Sequence, residues 1–223
     1  VGIFGIIKDN DPMKNFKIIL LFLITSCVPQ RFKAEWSTIL RANSNIQRYE
    51  VLHSLLLNQD SIFSIGTSTD MSPHQDFIMI NRQHLNGDFV WSKEIDLGPN
   101  DRPWKSFLNR DGFYILTESH FSHFDLQGEL LWSIDFRELT PDPLLRDFEL
   151  SHSFFYIGGR ELYKVSFEGE IINIQHPPKP IWDVYIANSK LYTGGNGFVL
   201  KLDEQLNKIW SYQVGEDQNP PLE

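Results

Sequence analysis

The chain has 223 residues, of which 41% are apolar and 22% charged; these are globular values that exclude a disordered polypeptide and a multi-span membrane protein. A formal charge of −9, from 20 basic against 29 acidic side chains, speaks against a nucleic acid as partner. The single cysteine excludes an internal disulfide and a multi-cysteine metal site, and an aromatic content of 13% leans toward strands.

Residues 1–12 contain no Met and read as translated leader, outside the fold. Met13-Lys-Asn-Phe-Lys17 is a short basic segment, followed by the apolar run Ile18–Ile24 and then Thr25-Ser26-Cys27, so residues 13–26 read as a secretory signal. The apolar run is far short of the ~20 residues needed to span a bilayer. Ile24-Thr25-Ser26-Cys27 resembles the lipobox of bacterial lipoproteins. That resemblance implies lipidation of Cys27 as the first mature residue, and Val28 after it implies sorting to the outer membrane, facing the periplasm or the surface. Several acyl chains would hold the protein to the membrane, since each buried methylene contributes about 0.8 kcal/mol. Residues 27–49 are then an anchor linker with one N-terminal strand, because Phe32–Leu40 carries a Trp36-Ser37 pair.

From residue 50 to 214 a pattern of about forty residues recurs. Asn86-Gly-Asp-Phe-Val-Trp91, Gln127-Gly-Glu-Leu-Leu-Trp132, Glu168-Gly-Glu-Ile-Ile-Asn173 and Leu206-Asn-Lys-Ile-Trp210 align, so the Trp position falls at 91, 132, 173 and 210. Other columns keep step: Val90, Leu131, Ile172 and Ile209 precede the Trp position, and Gly87, Gly128 and Gly169 stand four before it, with Leu206 the exception. Trp104 and Trp182 both stand 28 before their own Trp. Trp91, Trp132, Trp210, Trp104 and Trp182 therefore read as repeat packing residues. A period near 40 fits a four-stranded propeller blade.

Each repeat divides into four strands, A to D. The first has A at Glu50–Leu57, B at Ser61–Thr67, a long B–C connection over Ser68–His74, and C at Asp76–Arg82. Asn86-Gly87 is the strongest hairpin signal in the chain, because both residues tolerate positive φ. Arg48–Leu57 has some helical spacing, but its place in the repeat makes it a strand. The second repeat has A near Trp104–Leu108, B at Phe113–Thr117, C at Phe121–Leu126 and D at Glu129–Asp135. Gly158-Gly159 and Gly194-Gly195 mark B–C turns in the third and fourth, and Asp125 and Asp203 cap C–D turns. The repeats span 50–95, 103–136, 146–176 and 181–214, and residues 215–223 form a tail.

The sequence strand-Gly-Gly-strand-Leu-Asp-x-x-Gly-x-x-x-Trp, clearest in Phe154–Tyr163 and Leu191–Leu200, resembles the repeat of pyrroloquinoline-quinone-type β-propellers. The resemblance covers residues 50–214, with Asn173 and Leu206 as departures. The expected fold is an all-β propeller of four-stranded antiparallel blades. A β-sandwich also has short strands but lacks the forty-residue register. Four blades are present and rings close with 4–8. The expectation is an incomplete ring from a chain truncated at its C terminus, with a compact four-bladed ring as the alternative.

No catalytic spacing occurs, and neither a cofactor nor a metal is expected. His120 and His123 lie three apart on a strand, where they face opposite sides and cannot chelate one ion. The D–A loops Asp96–Pro103, Arg137–Arg146 and Gln175–Pro180 should gather on one face with the B–C turns. They carry Arg102, Arg137, Arg146 and Lys179 as candidate contacts for an acidic or carbonyl-rich partner. Three functions follow. The first is a lipid-anchored, non-catalytic binding or scaffold module of the cell envelope, with the membrane, a protein or a glycan as partner and no nucleic acid. The second, which the resemblance implies, is a fragment of a quinoprotein oxidoreductase. The third is a lipoprotein scaffold similar to that of the outer-membrane insertion machinery.

Overall fold

A computed structural model describes residues 48–71, 74–98 and 101–213. The leader, signal, Cys27, the Trp36 segment and the tail read from the sequence lie outside the described residues. Among the described residues, sixteen strands follow one another in four antiparallel sheets, each in simple meander order. The first sheet holds β1 (Arg48–Leu57), β2 (Ser61–Met71), β3 (His74–His84) and β4 (Phe89–Ile95). The second holds β5 (Pro103–Leu108), β6 (Gly112–Thr117), β7 (His120–Asp125) and β8 (Leu130–Asp135). The third holds β9 (Asp147–Leu150), β10 (Phe154–Gly158), β11 (Leu162–Ser166) and β12 (Ile171–Gln175). The fourth holds β13 (Asp183–Ala187), β14 (Lys190–Gly195), β15 (Phe198–Leu202) and β16 (Lys208–Gln213). The sheets are the blades of an unclosed propeller ring. Segment β1 is a strand and not a helix, paired along β2 with one irregularity between Leu52 and Ser54.

The innermost strands β1, β5, β9 and β13 neighbour one another in order. Polar side chains tie them together: Ser54 Oγ meets Ser106 Oγ at 2.5 Å, and Lys105 Nζ donates to Asp147 Oδ1 at 2.8 Å. The other oxygen of Asp147 accepts from the Val184 amide at 2.8 Å, so one carboxylate joins three blades.

Blades pack face to face, and each seam has its own apolar core. Phe63, Ile65 and Ile80 meet Phe113, Ile115 and Phe124 in the first seam. Tyr114, Leu116 and Phe121 meet Phe148, Phe155 and Ile157 in the second. Tyr156 and Leu162 meet Val184, Leu191 and Leu200 in the third. Removing such side chains from water at about 25 cal/mol per Å² is what holds the blades in register.

The side of each blade turned to the next carries one transverse row. The rows are Leu56–Phe63–Arg82–Trp91, Phe107–Tyr114–His123–Trp132, Glu149–Tyr156–Lys164–Asn173 and Tyr185–Tyr192–Lys201–Trp210. The four C–D pairings each slip by one residue directly beside this row, at Arg82/Gln83, His123/Phe124, Lys164/Val165 and Lys201/Leu202. A bulge there re-aims the outer strand and sharpens its twist. Trp91, Trp132 and Trp210 therefore occupy equivalent places, as the forty-residue period requires.

What the Trp column does is visible in the seams. Trp91 covers Gly128 and Trp132 covers Gly169, each on the C–D turn of the following blade. A Cβ on Gly128 would lie 2.7 Å from Trp91 Cη2, and one on Gly169 would lie 2.8 Å from Trp132 Cδ2. Both glycines also have positive φ, +74° and +84°, so they answer a conformational and a steric demand together. In the third seam Asn173 replaces Trp and Leu206 replaces Gly. Asn173 Nδ2 donates to Gln205 O at 2.8 Å, and the Leu206 side chain is buried in the seam core.

Two expectations need correction. The B–C connection of the first repeat is a continuous hairpin, with pairing from Ser61↔His84 to Met71↔His74. The polar residues read as loop are cross-strand partners, Thr69 Oγ1 donating to Asp76 Oδ1 at 2.5 Å. Nor do the double glycines as pairs form the turns: Gly158, Gly194 and Gly195 belong to strands, and of the four Gly159 alone falls in a B–C turn. They are there because a neighbouring D–A loop passes close by. A Cβ on Gly158 would sit 2.5 Å from Ile181 Cγ2, one on Gly159 would sit 2.6 Å from Pro143 O, and one on Gly195 would strike Pro180 O. The turn of the fourth blade falls instead on Asn196 and Gly197, with φ of +41° and +81°. Asp125 and Asp203 do cap their C–D turns: each Oδ1 accepts two turn amides, at 2.8 Å for Asp125 and at 2.8–2.9 Å for Asp203.

His123 gives a testable consequence of this packing. Its ring stacks on Tyr114 at 4.2 Å between centroids, while its Nε2 is buried without a hydrogen-bond partner. Burial pushes its pKa below the ordinary imidazole value, against the pull of Asp111 and Asp125. A depressed value means that the unfolded chain binds the proton first, so stability is full above about pH 6.5 and falls as the pH drops below it. His123→Phe keeps the stacked ring and removes the orphaned nitrogen. Urea unfolding should show it more stable than wild type by about 1 kcal/mol at pH 7, with a shallower loss between pH 7 and 5. An unchanged acid slope would contradict this.

Candidate binding face

The D–A loops and the B–C turns do gather on one face. Leu145 N donates to Glu118 O at 2.9 Å, Arg160 N to Pro143 O at 2.6 Å and Ile181 N to Gly159 O at 2.7 Å. Backbone bonds between a loop and a turn make this face stiff, which suits a recognition surface on a rigid scaffold.

Where the first D–A loop meets the B–C turn of the second blade lies a buried polar network that sequence reasoning missed. Asp101, on the loop between the first and second blades, is 2% exposed. Its carboxylate accepts from Ser119 N at 3.2 Å and from Ser119 Oγ at 2.8 Å, and it pairs with His120 Nδ1. Burial pushes the Asp101 carboxyl up, but bonds from His120, Thr117 and Ser119 outweigh it and hold the group below the usual carboxylate range. The opposite nitrogen, His120 Nε2, lies 3.4 Å from Arg137 Nη2 and 3.5 Å from Asp135 Oδ2. Arg137 in turn forks onto Asp135 at 2.8–3.2 Å, and its hydrogen bonds draw the Asp135 carboxyl down.

Ser, His and Asp together suggest hydrolytic chemistry, but the connectivity differs. A relay needs the nucleophile at one imidazole nitrogen and the carboxylate at the other. Here Ser119 Oγ and Asp101 Oδ2 both address Nδ1, at 3.1 Å for the serine. The set fastens a loop to a turn. Nothing in the sequence brings Asp101 to His120, nineteen residues away; the blade's own folding does so. His120 and His123 stand in separate surroundings, and among the described residues no group of three or more His, Cys, Asp or Glu is arranged to hold a metal ion.

The four cations singled out from the sequence are spread over the face. Arg102 Nε donates to Asp76 Oδ2 at 3.1 Å. Arg137 belongs to the His120 network. Arg146 Nη1 meets Glu118 Oε1 at 3.3 Å, and its guanidinium stacks 4.5 Å from the Trp104 ring centroid. Lys179 Nζ donates to Asn196 O at 3.4 Å. Of the four, Arg146 is the one seen stacked on an aromatic ring, that of Trp104. Of the packing tryptophans, Trp91 and Trp132 lie in seams, whereas Trp104 and Trp182 are 49% and 55% exposed at the head of the inner strands. Beside the third and fourth blades a cleft of about 390 Å³ is lined by His176, Pro177, Pro178, Phe198 and Tyr212 among others.

No protein-family model and no curated protein match the chain in sequence. In fold it is similar to the WD40 domain of Neurospora crassa Pan2, with a TM-score of 0.54 at 11% identity over 74% of this chain and 50% of that one. It is similar to BamB from Moraxella catarrhalis, with a TM-score of 0.53 at 13% identity over 72% and 49%. A third similar structure is Saccharomyces cerevisiae Sqt1, with a TM-score of 0.53 at 11% identity over 74% and 52%. All are propellers, and the chain spans about half the length of each.

Proposed function

We propose that the chain is a lipid-anchored, non-catalytic scaffold of the bacterial cell envelope whose loop face binds a protein. The observation that carries this reading is Trp104, a half-exposed indole on an inner strand with the Arg146 guanidinium stacked on it and Arg102 two residues upstream. Exposed Trp and Arg on a rigid frame is the composition that dominates protein–protein contact energies. Each arginine is oriented by one carboxylate and retains free N–H groups, which suit an acidic or carbonyl-rich segment. The anchor is Cys27, read from its lipobox, with Val28 favouring the outer membrane. The quinoprotein alternative would need an acidic base and calcium ligands at the channel mouth. Asp76, Asp101, Glu118 and Asp135 on the loop face are instead engaged with Arg, Ser and His. The likeness to BamB is equalled by Pan2 and Sqt1, so the fold does not single out an outer-membrane assembly role.

Labelled palmitate should enter the wild type and not Cys27→Ser. A photo-crosslinking side chain at position 104 should give discrete adducts with an envelope protein in intact cells, abolished by Arg146→Glu. The same probe at Leu131, on the outer strand β8, should give none. Equal labelling of both cysteine variants ends the anchor, and adducts from Leu131 but not from position 104 end the binding face.

A further inference from the structure

The second seam is packed where the third is open. In the second, Ile134 and Phe136 of one blade share a core with Tyr163 and Ile174 of the next, and the Phe136 and Tyr163 rings meet edge to face at 4.5 Å between centroids. Ile134 and Phe136 stand two and four places after the Trp position, and Tyr163 pairs with Ile174 across the C–D ladder. The same places in the third seam fall to Gln175, Pro177, Leu200 and Ser211, with Leu200 paired to Ser211. Three of these four are smaller than their counterparts, and two are polar. All four line the cleft of about 390 Å³, which is bounded by the end of β12 on one side and by β15 and β16 on the other.

The first seam also has polar residues at these places, but it satisfies them internally. Ser122 Oγ and Ser133 Oγ meet there at 2.8 Å, and Lys93 Nζ donates to Glu129 Oε1 at 2.5 Å. In the third seam the polar groups turn to the cleft unengaged. Among the described residues, the side chains of Gln175, Lys208, Ser211 and Gln213 form no hydrogen bond or ion pair.

Two amides and a hydroxyl both donate and accept, as the vicinal hydroxyls of a sugar do. Pro177, Pro178 and Phe198 add an apolar wall for the C–H face of a ring. The lining holds the Lys208 ammonium and no carboxylate, so it favours a ligand with negative charge. Its volume lies within the ~300–1,000 Å³ of small-ligand clefts, at the end that suits about one or two rings. We propose that the cleft binds an acidic saccharide, with hydroxyls on Gln175, Ser211 and Gln213 and the sugar carboxylate on Lys208. The site lies in a seam formed between two blades of this chain. It stands on outer strands, whereas Trp104 stands on an inner one, and it does not depend on the protein-binding reading of the loop face.

The test is ligand-observed NMR on the full chain, carrying Cys27→Ser to keep lipid out of the sample, with digalacturonate as probe. Binding is expected with a dissociation constant of about 1 mM or tighter. Lys208→Ala should weaken it about fivefold or more, the worth of one charge-assisted bond. Galactobiose, which has the hydroxyls without the charge, should bind the wild type more weakly and be indifferent to Lys208→Ala. Diglutamate, which has the charge without the hydroxyls, should not bind. Gln175→Ile with Ser211→Ile restores two residues of the packed seam and should abolish binding while the urea midpoint stays at or above that of the parent. Ser211 is exposed, so Ser211→Ala serves as the companion that leaves folding alone, and it should weaken binding about threefold or more. Absence of binding to both sugars at about 10 mM overturns the proposal. So does binding that survives the double filling, or diglutamate bound as tightly as digalacturonate.

Discussion

Asn173→Trp and Leu206→Gly should each destabilise the chain, and together they should cost far less than their sum. In two seams an indole lies on a glycine; in the third the pair is Asn173 with Leu206. A Trp introduced opposite Leu206 has no room, and overpacking costs about 1–3 kcal/mol. Leu206→Gly relieves a residue held at φ of +67°. That relief is worth about 1–2 kcal/mol. Against it stands the loss of a side chain 2% exposed in the seam core. Loss of a buried leucine costs about 2–5 kcal/mol, so the net effect is destabilising. The double variant recreates the arrangement of Trp132 on Gly169, in which the indole fills what the leucine vacates. A double-mutant cycle in urea should give a favourable coupling of about 1–3 kcal/mol. Additivity within about 0.5 kcal/mol would mean that the two positions are not one packing unit.

This pair shows what the sequence could and could not disclose. The forty-residue spacing, the Trp column and the glycine four before it are local regularities, and they suffice for four-stranded blades because the strand period and the turn chemistry agree at every repeat. Asn173 and Leu206 stand out in the sequence only as two separate departures. They become one compensated change when the third seam sets position 173 of one blade against position 206 of the next. The double glycines misled for the same reason: a glycine pair signals a turn locally, whereas Gly158 and Gly195 answer to a loop arriving from elsewhere in the ring. Asp101 and His120 carried no signal at all, because a loop aspartate and a strand histidine acquire meaning only when blade and loop are folded together. Trp104 was visible as a column member. Its exposure follows from its place at the head of an inner strand, which spacing alone does not specify.

The loop network should be the most sensitive polar site of the fold. Asp101→Leu removes the common acceptor of Ser119 N, Ser119 Oγ and His120 Nδ1, so three buried donors lose their carboxylate partner. Taking the acceptor away from buried donors costs about 1–3 kcal/mol for each one left unsatisfied. Asp101→Asn keeps an acceptor oxygen and a similar shape, and should cost about 1–2 kcal/mol, the value of one charge-assisted bond weakened to a neutral one. The two variants also separate packing from charge through pH. The Asp101 carboxyl lies below its unfolded value of 3.8, so its contribution is present above that value and is lost as the pH falls through the folded pKa. Wild type should therefore lose stability as the pH falls below about 4 more steeply than Asp101→Asn, which has no proton to take up there. His120→Gln, which retains a donor toward Asp101, should fall between the two Asp101 variants at pH 7. Urea midpoints across that range decide the matter. If Asp101→Leu costs less than about 1 kcal/mol, or if Asp101→Asn follows the wild-type acid limb, the carboxylate is solvated and the loop is held by its backbone bonds instead.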